Sequence, residues 1–410
     1  MSKKCQTVSV CGCALADRLY TKIRFDSDEI KPFLSVLDGD GGISPGKLVF
    51  AEDLEKFSGV PYADILQKIS GGSSPDAVNL GGPAIVGAVN AAQILHRGEA
   101  RFSFYGIRGD DPSGRFIESI LQKTPLNCTH YEVYPGDPPP CTDVLSAPSA
   151  HNGKGERSFL NRIGSSVRMT VQHLENGFFD ADIHWYAATA LVPDLHDHLT
   201  TLLRKSKQAG RINVVSTVFD FRNEKKDPVD PWPLGESVDS YRFIDLLIVD
   251  FEEALRLSGK HTIEDAACFF RTHGVSSFFI TYGAKNFYVW SDGRLFASSG
   301  SLSPVSCPVS ALADADLAEH PELRGDTTGC GDNFAGGIVS SLARQLYEGC
   351  PAGSLSLVDA AAWGAASGGA ALFQIGGTCV EKVPGEKEAK LRRYAEAYLA
   401  DPAVRELHLP

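Results

Sequence analysis

Two glycines and an acid near the C-terminal end of the chain have the spacing of an anion-binding turn. Gly329 and Gly331 flank one residue, and Asp332 follows directly, where an apolar repeat of helical period begins (334–342). A helix that begins here presents unpaired N–H groups and the positive end of its dipole, and glycines leave those groups accessible to an anion. A carboxylate beside a bound phosphoryl group is suited to act as general base in its transfer.

The same residues permit a second interpretation, in which the acids only cap a helix. The side chain of Asp326 or Asp332 would then accept hydrogen bonds from the first N–H groups, which is a common use of Asp at helix starts. Because glycine-rich turns precede many helices, the spacing alone leaves both interpretations open.

The composition is that of an acidic, water-soluble globular protein. The 410 residues are 43% hydrophobic and 22% charged, and the formal net charge is −12, which argues against a nucleic-acid groove as the main feature. The sequence contains neither a signal-like N-terminal segment nor a run of about 18 apolar residues. Its ten scattered cysteines lack CxxC spacing, as is typical of a reducing compartment. We expect a cytoplasmic protein without a membrane or nucleic-acid partner.

The elements that must position the turn follow a strand–helix alternation. From Ile183 to Tyr282 the pattern predicts strands at His184–Ala188, Ile212–Val218 and Phe243–Val249, with a helix at Leu195–Gln208. Such alternation indicates βαβ units and a parallel sheet with helices on both faces. Ligands of such sheets bind beyond the carboxyl ends of the strands.

Two further motifs lie upstream. Thr7–Gly12 is predicted to be a buried strand that ends at glycine, and Asp17 follows five residues later. A carboxylate accepts two hydroxyl hydrogen bonds and so suits a polyol, while an acid in a surface turn is the alternative. Gly81 and Gly82 open a helix of small residues, which suits close approach of a ligand to the backbone.

A hairpin is predicted in the second hundred residues. Cys141–Ala150 and Glu156–Ile163 are strand-like and flank a turn signal at Asn152–Gly155. The second strand should run toward the ligand cleft, so Asn161 and Arg162 are expected to approach a substrate. Exposed hairpin residues are the alternative interpretation.

These motifs together carry a family resemblance. Asp326-Thr-Thr-Gly-Cys-Gly-Asp332 resembles the C-terminal signature of the PfkB/ribokinase family of carbohydrate and nucleoside kinases. Three more motifs occur in the family's order: Gly12 with Asp17, Gly81-Gly82, and Asp250-Phe-Glu-Glu253. The resemblance covers most of the chain. It implies a ribokinase-like α/β fold, with a mostly parallel central sheet, helices on both faces and a small β lid.

The resemblance also implies roles for individual residues. Asp332 is the expected catalytic base, and the N–H groups of Gly329, Cys330 and Gly331 are expected to form the anion hole. The other implied sites are substrate contacts at Asp17, Gly81, Gly82 and Asn161, nucleotide contacts at Thr281, Gly283 and Thr328, Mg²⁺ held through water by Glu253 and Asp250, and a monovalent cation (K⁺) beside the turn at Asp326 and Thr328.

The chain departs from the family pattern at several positions. Val86 occupies the place of an Asn that follows the glycine pair, and Asp250 replaces the Asn of Asn-x-x-Glu. An added carboxylate at that position is compatible with Mg²⁺, which prefers oxygen ligands. Asn286 replaces the last Gly of the nucleotide-side Thr-x-Gly-x-x-Gly segment, where we expect it to adopt the left-handed conformation that Asn tolerates.

The resemblance predicts a single kinase domain over residues 1–400, followed by a tail at 401–410. Lid and insertion segments are expected near 18–75 and 130–165. A further, turn-rich insertion is expected near 301–325. Exposed lid strands favour a homodimer.

The predicted function is ATP-dependent transfer of the γ-phosphoryl group to a hydroxyl of a sugar or sugar-like molecule, with Mg²⁺ as cofactor. A nucleoside kinase of the same fold is the alternative within the enzyme class, and ADP is an alternative donor. A catalytically silent, kinase-like binding or regulatory protein is the alternative outside it.

Overall fold

Fourteen β-strands occur in the computed structural model, which describes residues 3–37, 39–137, 140–147, 156–325 and 327–410. In chain order the strands are β1 (Gln6–Cys11), β2 (Leu15–Tyr20), β3 (Leu48–Phe50), β4 (Ala77–Gly81), β5 (Ala100–Arg108), β6 (Asn127–Val133), β7 (Cys141–Ala147), β8 (Glu156–Arg162), β9 (Ile183–Ala187), β10 (Ile212–Ser216), β11 (Leu246–Asp250), β12 (Ser277–Thr281), β13 (Phe287–Ser291) and β14 (Val305–Cys307). They form two sheets.

The larger sheet contains nine strands in the order β14-β13-β12-β11-β10-β9-β1-β5-β6. The strands from β12 to β6 run parallel, and β13 and β14 extend the sheet in antiparallel fashion. The carboxyl ends of the parallel strands therefore lie along one edge, which is where such sheets bind ligands.

Helices cover both faces of this sheet. The helices of the described residues are α1 (Ala51–Ser58), α2 (Tyr62–Ile69), α3 (Pro83–Ile94), α4 (Pro112–Leu121), α5 (Pro193–Asp197), α6 (Leu199–Gln208), α7 (Phe221–Lys226), α8 (Phe251–Ser258), α9 (Ile263–Thr272), α10 (Ala311–Glu319), α11 (Cys330–Tyr347), α12 (Leu357–Ala371), α13 (Glu386–Ala400) and α14 (Pro402–Arg405). Of these, α1 and α2 pack on the smaller sheet. One apolar core joins the sheet to α3, α11, α12 and α13, and another joins it to α6, α8 and α9. The predicted mostly parallel α/β sheet with helices on both faces is confirmed. None of the helices in the described ranges is long and apolar enough to cross a bilayer.

The smaller sheet is the predicted β lid, with strand order β3-β8-β7-β2-β4. β7 and β8 pair in antiparallel fashion, as the hairpin prediction requires. The predicted turn at Asn152–Gly155 lies outside the described residues.

One face of the lid is covered by the chain between β2 and β4. Leu145 and Leu160 of the lid pack in an apolar cluster with Leu54 of α1 and Ile65 of α2. We call the face that carries Leu145 and Leu160 the outer face of the lid. The homodimer expected from exposed lid strands stays a prediction, and on this face the strands are buried by their own chain.

Three segments differ from their sequence predictions in detail. The helix predicted over Leu195–Gln208 is two helices, α5 and α6, because the backbone of His198 leaves helical geometry. The insertion near 301–325 is more regular than its composition predicts, since it contains β14 and α10, and Asp316 of α10 pairs with Arg393 (2.9 Å). The tail predicted at 401–410 contacts the rest of the chain, because the carbonyl oxygen of Pro410 accepts a hydrogen bond from Val358 N of α12.

Helices α3 and α11 approach closely through small residues. A Cβ atom at Gly336 would lie 2.6 Å from the carbonyl oxygen of Gly87. Asn90, the Asn nearest to the Val86 position, is buried, and its Nδ2 donates to the carbonyl oxygen of Asn333 (3.1 Å). This contact fixes the start of α11 relative to the helix that follows Gly81-Gly82.

We expect Gly336→Ala to lower the free energy of unfolding by about 1–3 kcal/mol, the usual cost of overpacking. The added methyl would collide with the backbone of α3, and this outweighs the gain from Ala within a helix. Urea unfolding of the variant measures the change. Gly331→Ala in the same helix is the matched control, because a Cβ atom there meets nothing within 4 Å. A Gly336→Ala protein as stable as wild type would contradict the packing described.

Candidate active site

The glycine turn forms the start of α11. Gly329 precedes the helix with φ of +75°, and its carbonyl oxygen accepts the hydrogen bond of Asn333 N (2.9 Å). No side-chain cap is found at this helix start within the described residues. The interpretation of Asp332 as a capping residue is therefore not observed, and Asp326 lies outside the described residues.

The N–H groups before Asn333 precede the first intrahelical hydrogen bond. Cys330 N lies 3.3 Å from the carbonyl oxygen of Thr327, so it already has a long hydrogen bond within the turn. Gly331 is exposed, and a Cβ atom at this residue would meet no heavy atom within 4 Å. The open space over Gly331 is where a ligand anion can approach the helix N-terminus.

A loop at 374–378 packs against the glycine turn. A Cβ atom at Gly329 would lie 2.5 Å from Cα of Gly377, which explains the requirement for glycine there. The carbonyl oxygen of Gly377 accepts hydrogen bonds from Asn333 Nδ2 (2.8 Å) and Gln374 Nε2 (3.0 Å). Gly377 also packs against Val86, so the residue that departs from the family pattern supports this loop.

Asp332 is half-buried in the first turn of α11, and its carboxylate accepts no hydrogen bond from the described residues. Its backbone lies against Gly87 of α3. Burial raises the pKa of Asp332 to about 6. An unpaired carboxylate with a pKa near neutrality is suited to accept a proton from a substrate hydroxyl.

The lid carries a row of side chains on the face opposite its outer face. Residues paired in register across neighbouring strands point to the same face. The pairs are Asn79 with Asp17, Asp17 with Thr142, Thr142 with Asn161, and Asn161 with Phe50. Asn161 Nδ2 donates to Thr142 Oγ1 (3.2 Å). We call these five residues the lid row.

The predicted Asp17 and Gly81-Gly82 sites lie together. A side chain at Gly81 would collide with the carboxylate of Asp17, and a Cβ atom at Gly82 would lie 2.9 Å from the carbonyl oxygen of Cys13. Burial, followed by the negative charges of Asp332 and Asp17, raises the pKa of the Cys13 thiol to about 12. A Cβ atom at Gly376, in the loop that packs against the glycine turn, would lie 2.7 Å from Nδ2 of Asn79, so the lid row and the glycine turn adjoin.

Arg162 is not part of this arrangement. It pairs in register with Cys141, and adjacent residues of a strand point to opposite faces, so it lies on the outer face while Asn161 lies in the lid row. The expectation that both residues approach the substrate is wrong for Arg162.

Glu253 and Asp250 form a capping box at the start of α8. Asp250 Oδ1 accepts from Glu253 N (2.8 Å), and Glu253 Oε2 accepts from Asp250 N (3.3 Å) and Thr217 Oγ1 (2.6 Å). Burial, followed by the charge of Asp250 and more weakly that of Asp332, raises the pKa of Glu253. The carboxylates of Glu253, Asp250 and Asp332 therefore lie near enough to one another for their negative charges to interact.

The described residues contain no cluster of three or more His, Cys, Asp or Glu side chains placed to hold a metal ion. Glu253 is buried, but its Oε1 atom accepts no hydrogen bond within the described chain and is not among the fully buried polar atoms, so one carboxylate oxygen can bind a water. This donor set fits an ion such as Mg²⁺, which keeps waters and takes its other oxygens from phosphates. Near the turn, Thr378 Oγ1 is buried without a partner among the described residues.

The predicted nucleotide residues lie next to the acids. Thr281 ends β12 and pairs in register with Asp250 of β11. Gly283 is exposed with φ of +57°, while Thr328 is half-buried in the turn before α11. Asn286 is not among the described residues with positive φ, so its predicted left-handed conformation is wrong, and its Nδ2 donates to Ser306 Oγ (3.0 Å).

Sequence reasoning missed three polar residues of the site. Thr217 follows β10 and orients Glu253, and a polar residue at the carboxyl end of a predicted parallel strand is a usable signal. Thr142 and Asn79 belong to the lid row. Their strands alternate in polarity, but only the cross-strand register joins them to Asp17.

Comparisons with known proteins identify the family and the fold of the chain. A family model described as pfkB family carbohydrate kinase matches residues 77–382. Adenosine kinase from Schistosoma mansoni in complex with 2-fluoroadenosine has a TM-score of 0.64 at 14% identity, covering 92% of this chain and 97% of that one. Ribokinase from Thermotoga maritima has a TM-score of 0.58 at 16% identity, with 97% and 100% covered. Aminoimidazole riboside kinase from Salmonella enterica, complexed with aminoimidazole riboside and ATP analog, has a TM-score of 0.57 at 16% identity, with 94% and 100% covered. The fold is ribokinase-like, as predicted.

Proposed function

Because this chain belongs to the pfkB family of carbohydrate kinases, we propose that it transfers the γ-phosphoryl group of ATP to a hydroxyl of a sugar or sugar-like small molecule. The observation that carries this proposal is the Asp332 carboxylate. It is half-buried, accepts no hydrogen bond from the described residues, and lies next to an open helix N-terminus. A purely structural acid at this position would be expected to accept hydrogen bonds from the helix start.

In the proposed reaction the lid row orients the acceptor. Asp17 accepts hydrogen bonds from substrate hydroxyls, and Asn161 and the backbone at Gly81 and Gly82 limit how the acceptor can lie. Asp332 takes the proton of the attacking hydroxyl as the oxygen bonds to the γ-phosphorus and the bond to the β-phosphate oxygen breaks.

The glycine turn supplies the electrostatic part of the proposal. The N–H groups of Gly329, Cys330 and Gly331, together with the dipole of α11, stabilise negative charge on the transferring group. Thr281, Gly283 and Thr328 contact the nucleotide. Mg²⁺ near Glu253 and Asp250, when bound, offsets the charge of the phosphates. A K⁺ site at Asp326 is part of the same proposal, and Thr378 Oγ1 is an oxygen without a partner among the described residues.

A nucleoside is the second candidate acceptor. The lid row ends at Phe50, a half-buried ring in register with Asn161. An aromatic ring at the end of a row of polar groups can stack on a base while the polar groups bind the ribose. Phe50 therefore favours testing nucleosides beside sugars.

An ATP-consumption screen over sugars, sugar phosphates and nucleosides tests the proposal. We expect one class to stimulate ADP formation in wild type and not in Asp332→Asn. Titration calorimetry with Mg·ATP separates the silent binding protein, which need not bind nucleotide, from a kinase that lacks its acceptor. Absence of nucleotide binding would contradict the kinase assignment.

The pH dependence of the reaction follows from the raised pKa of Asp332. The base form is required, so kcat/KM should fall as pH drops through about 6, the pKa of this carboxyl in the free protein. The fall should approach tenfold per pH unit below that value. Initial rates with both substrates far below their KM values report this limb. A profile flat down to pH 5 would exclude Asp332, with this pKa, as the base.

A further inference from the structure

The outer face of the lid contains a cavity of about 350 Å³ between α2 and the lid strands. Two arginines, Arg18 of β2 and Arg162 of β8, line it together with Tyr20, Tyr62 and Ser73. This volume is in the range of small-molecule sites. None of these residues belongs to the candidate active site.

The charges around this cavity do not balance. Arg18 is neutralised by Asp143, which accepts from Arg18 Nε (2.7 Å) and a terminal nitrogen (2.5 Å) and also from Tyr62 Oη (2.5 Å). Asp143 is fully buried and accepts these three hydrogen bonds, so its charge is already paired with Arg18.

Arg162 has no acidic partner among the described residues. Its contact is from a terminal nitrogen to Cys141 Sγ (3.3 Å), and Arg18 also reaches this sulfur (3.6 Å). The Nε atom of Arg162 is buried and has no hydrogen-bond partner in the described part of the chain. A half-buried guanidinium beside a second arginine, with an unused buried donor, is electrostatically incomplete.

We propose that this cavity binds a small phosphate monoester through Arg162. A guanidinium matches phosphate oxygens in geometry and charge. The cavity is larger than a phosphate ion needs, and the rings of Tyr20 and Tyr62 form a wall for a small organic group. Ser73 offers a hydroxyl at the same cavity.

The position of the cavity predicts an effect on the acceptor site. Arg18, Cys141 and Arg162 directly follow or precede Asp17, Thr142 and Asn161 in the sequence, on the opposite face of the same strands. Binding on the outer face therefore fixes the strands that carry the lid row. The expected consequence, which rests on the proposed function, is a lower KM for the acceptor with kcat unchanged.

Titration of the full chain with sn-glycerol 3-phosphate tests the binding site directly. Saturating Mg²⁺ and a nonhydrolysable ATP analogue are present, so that the glycine turn does not bind the probe. We expect saturable binding to wild type, absence of binding for glycerol, and at least a tenfold weaker affinity in Arg162→Met. Arg24→Met is the matched control, because Arg24 is an exposed lid-segment arginine that pairs with Asp26.

Removal of Arg162 leaves no buried acid unpaired, so the variant is expected to fold, and its melting temperature in anion-free buffer checks this. Ala63→Glu provides a second variant, since it adds a carboxylate from an exposed position on the cavity wall and should also abolish binding. Equal affinity in wild type, Arg162→Met and Ala63→Glu would overturn the proposal, as would absence of saturable binding to wild type. If no acceptor supports turnover, the titration still shows whether the cavity binds sn-glycerol 3-phosphate. Failure of the kinase proposal is therefore distinguishable from failure of the binding proposal.

Discussion

Asp332→Asn is expected to lower kcat by about 10²–10⁴, the range that general base catalysis contributes. Asn keeps the shape of the side chain but cannot accept the proton of the attacking hydroxyl. The carboxylate accepts no hydrogen bond from the described residues, so its replacement takes an acceptor from none of the described donors, and stability should change little. Steady-state kinetics with the acceptor identified by the screen, together with Mg·ATP titration, measures both effects.

The control for this variant is Asp265→Asn. Asp265 occupies the third position of α9, as Asp332 does in α11, but it is exposed and interacts with its own N-cap, Thr262. Its replacement should leave kcat unchanged. Equal kcat in wild type and Asp332→Asn, with Mg·ATP bound in both, would remove Asp332 from the role of base.

Gly331→Ala is expected to separate stability from activity. Ala is favoured over Gly inside a helix by about 0.5–1 kcal/mol, and the methyl group meets no heavy atom within 4 Å, so the protein should become slightly more stable. The same methyl group would fill the space through which a phosphoryl oxygen reaches the helix N-terminus. We expect kcat/KM for ATP to fall roughly 10²-fold, comparable with the loss of one oxyanion-hole donor.

Denaturant unfolding and nucleotide-dependent kinetics on the same preparation test this opposite pair of effects. Gly336→Ala, which should lose stability through a clash with α3, is the comparison within the same helix. A Gly331→Ala enzyme with both greater stability and full activity would show that no phosphate occupies the space over Gly331.

The fold was predictable because its elements carry clear periodic signals. The strand predicted at Thr7–Gly12 is found at Gln6–Cys11, and the pairing of the two hairpin strands is found as expected. The break of the predicted 195–208 helix at His198 was not predictable, since no Gly or Pro marks it. The helical part of the 301–325 insertion was obscured by its acidic composition, and its contacts are with residues distant in sequence: Asp316 pairs with Arg393 and accepts from Tyr394 Oη (2.8 Å).

Residues of the candidate site were predictable where they belong to one local motif. They were missed where only the pairing of distant strands brings them together. The positions of Gly329, Gly331 and Asp332 relative to a helix start follow from their spacing alone. The lid row depends on strand register, which the sequence does not specify, so Thr142 and Asn79 were not found. Register also explains why Arg162 lies outside the lid row, since alternation along a strand allows only one of two adjacent residues to point to a given face.

The most direct test of the central claim is the product of the reaction. Wild type, Asp332→Asn and Asp265→Asn are each incubated with Mg·ATP and a mixture of sugars, sugar phosphates and nucleosides, and both products are quantified by mass spectrometry. We predict that one acceptor gains a phosphoryl group in equal amount with ADP for wild type and Asp265→Asn, and at about 1% of that rate or less for Asp332→Asn. Equal rates of product formation by wild type and Asp332→Asn would contradict the account.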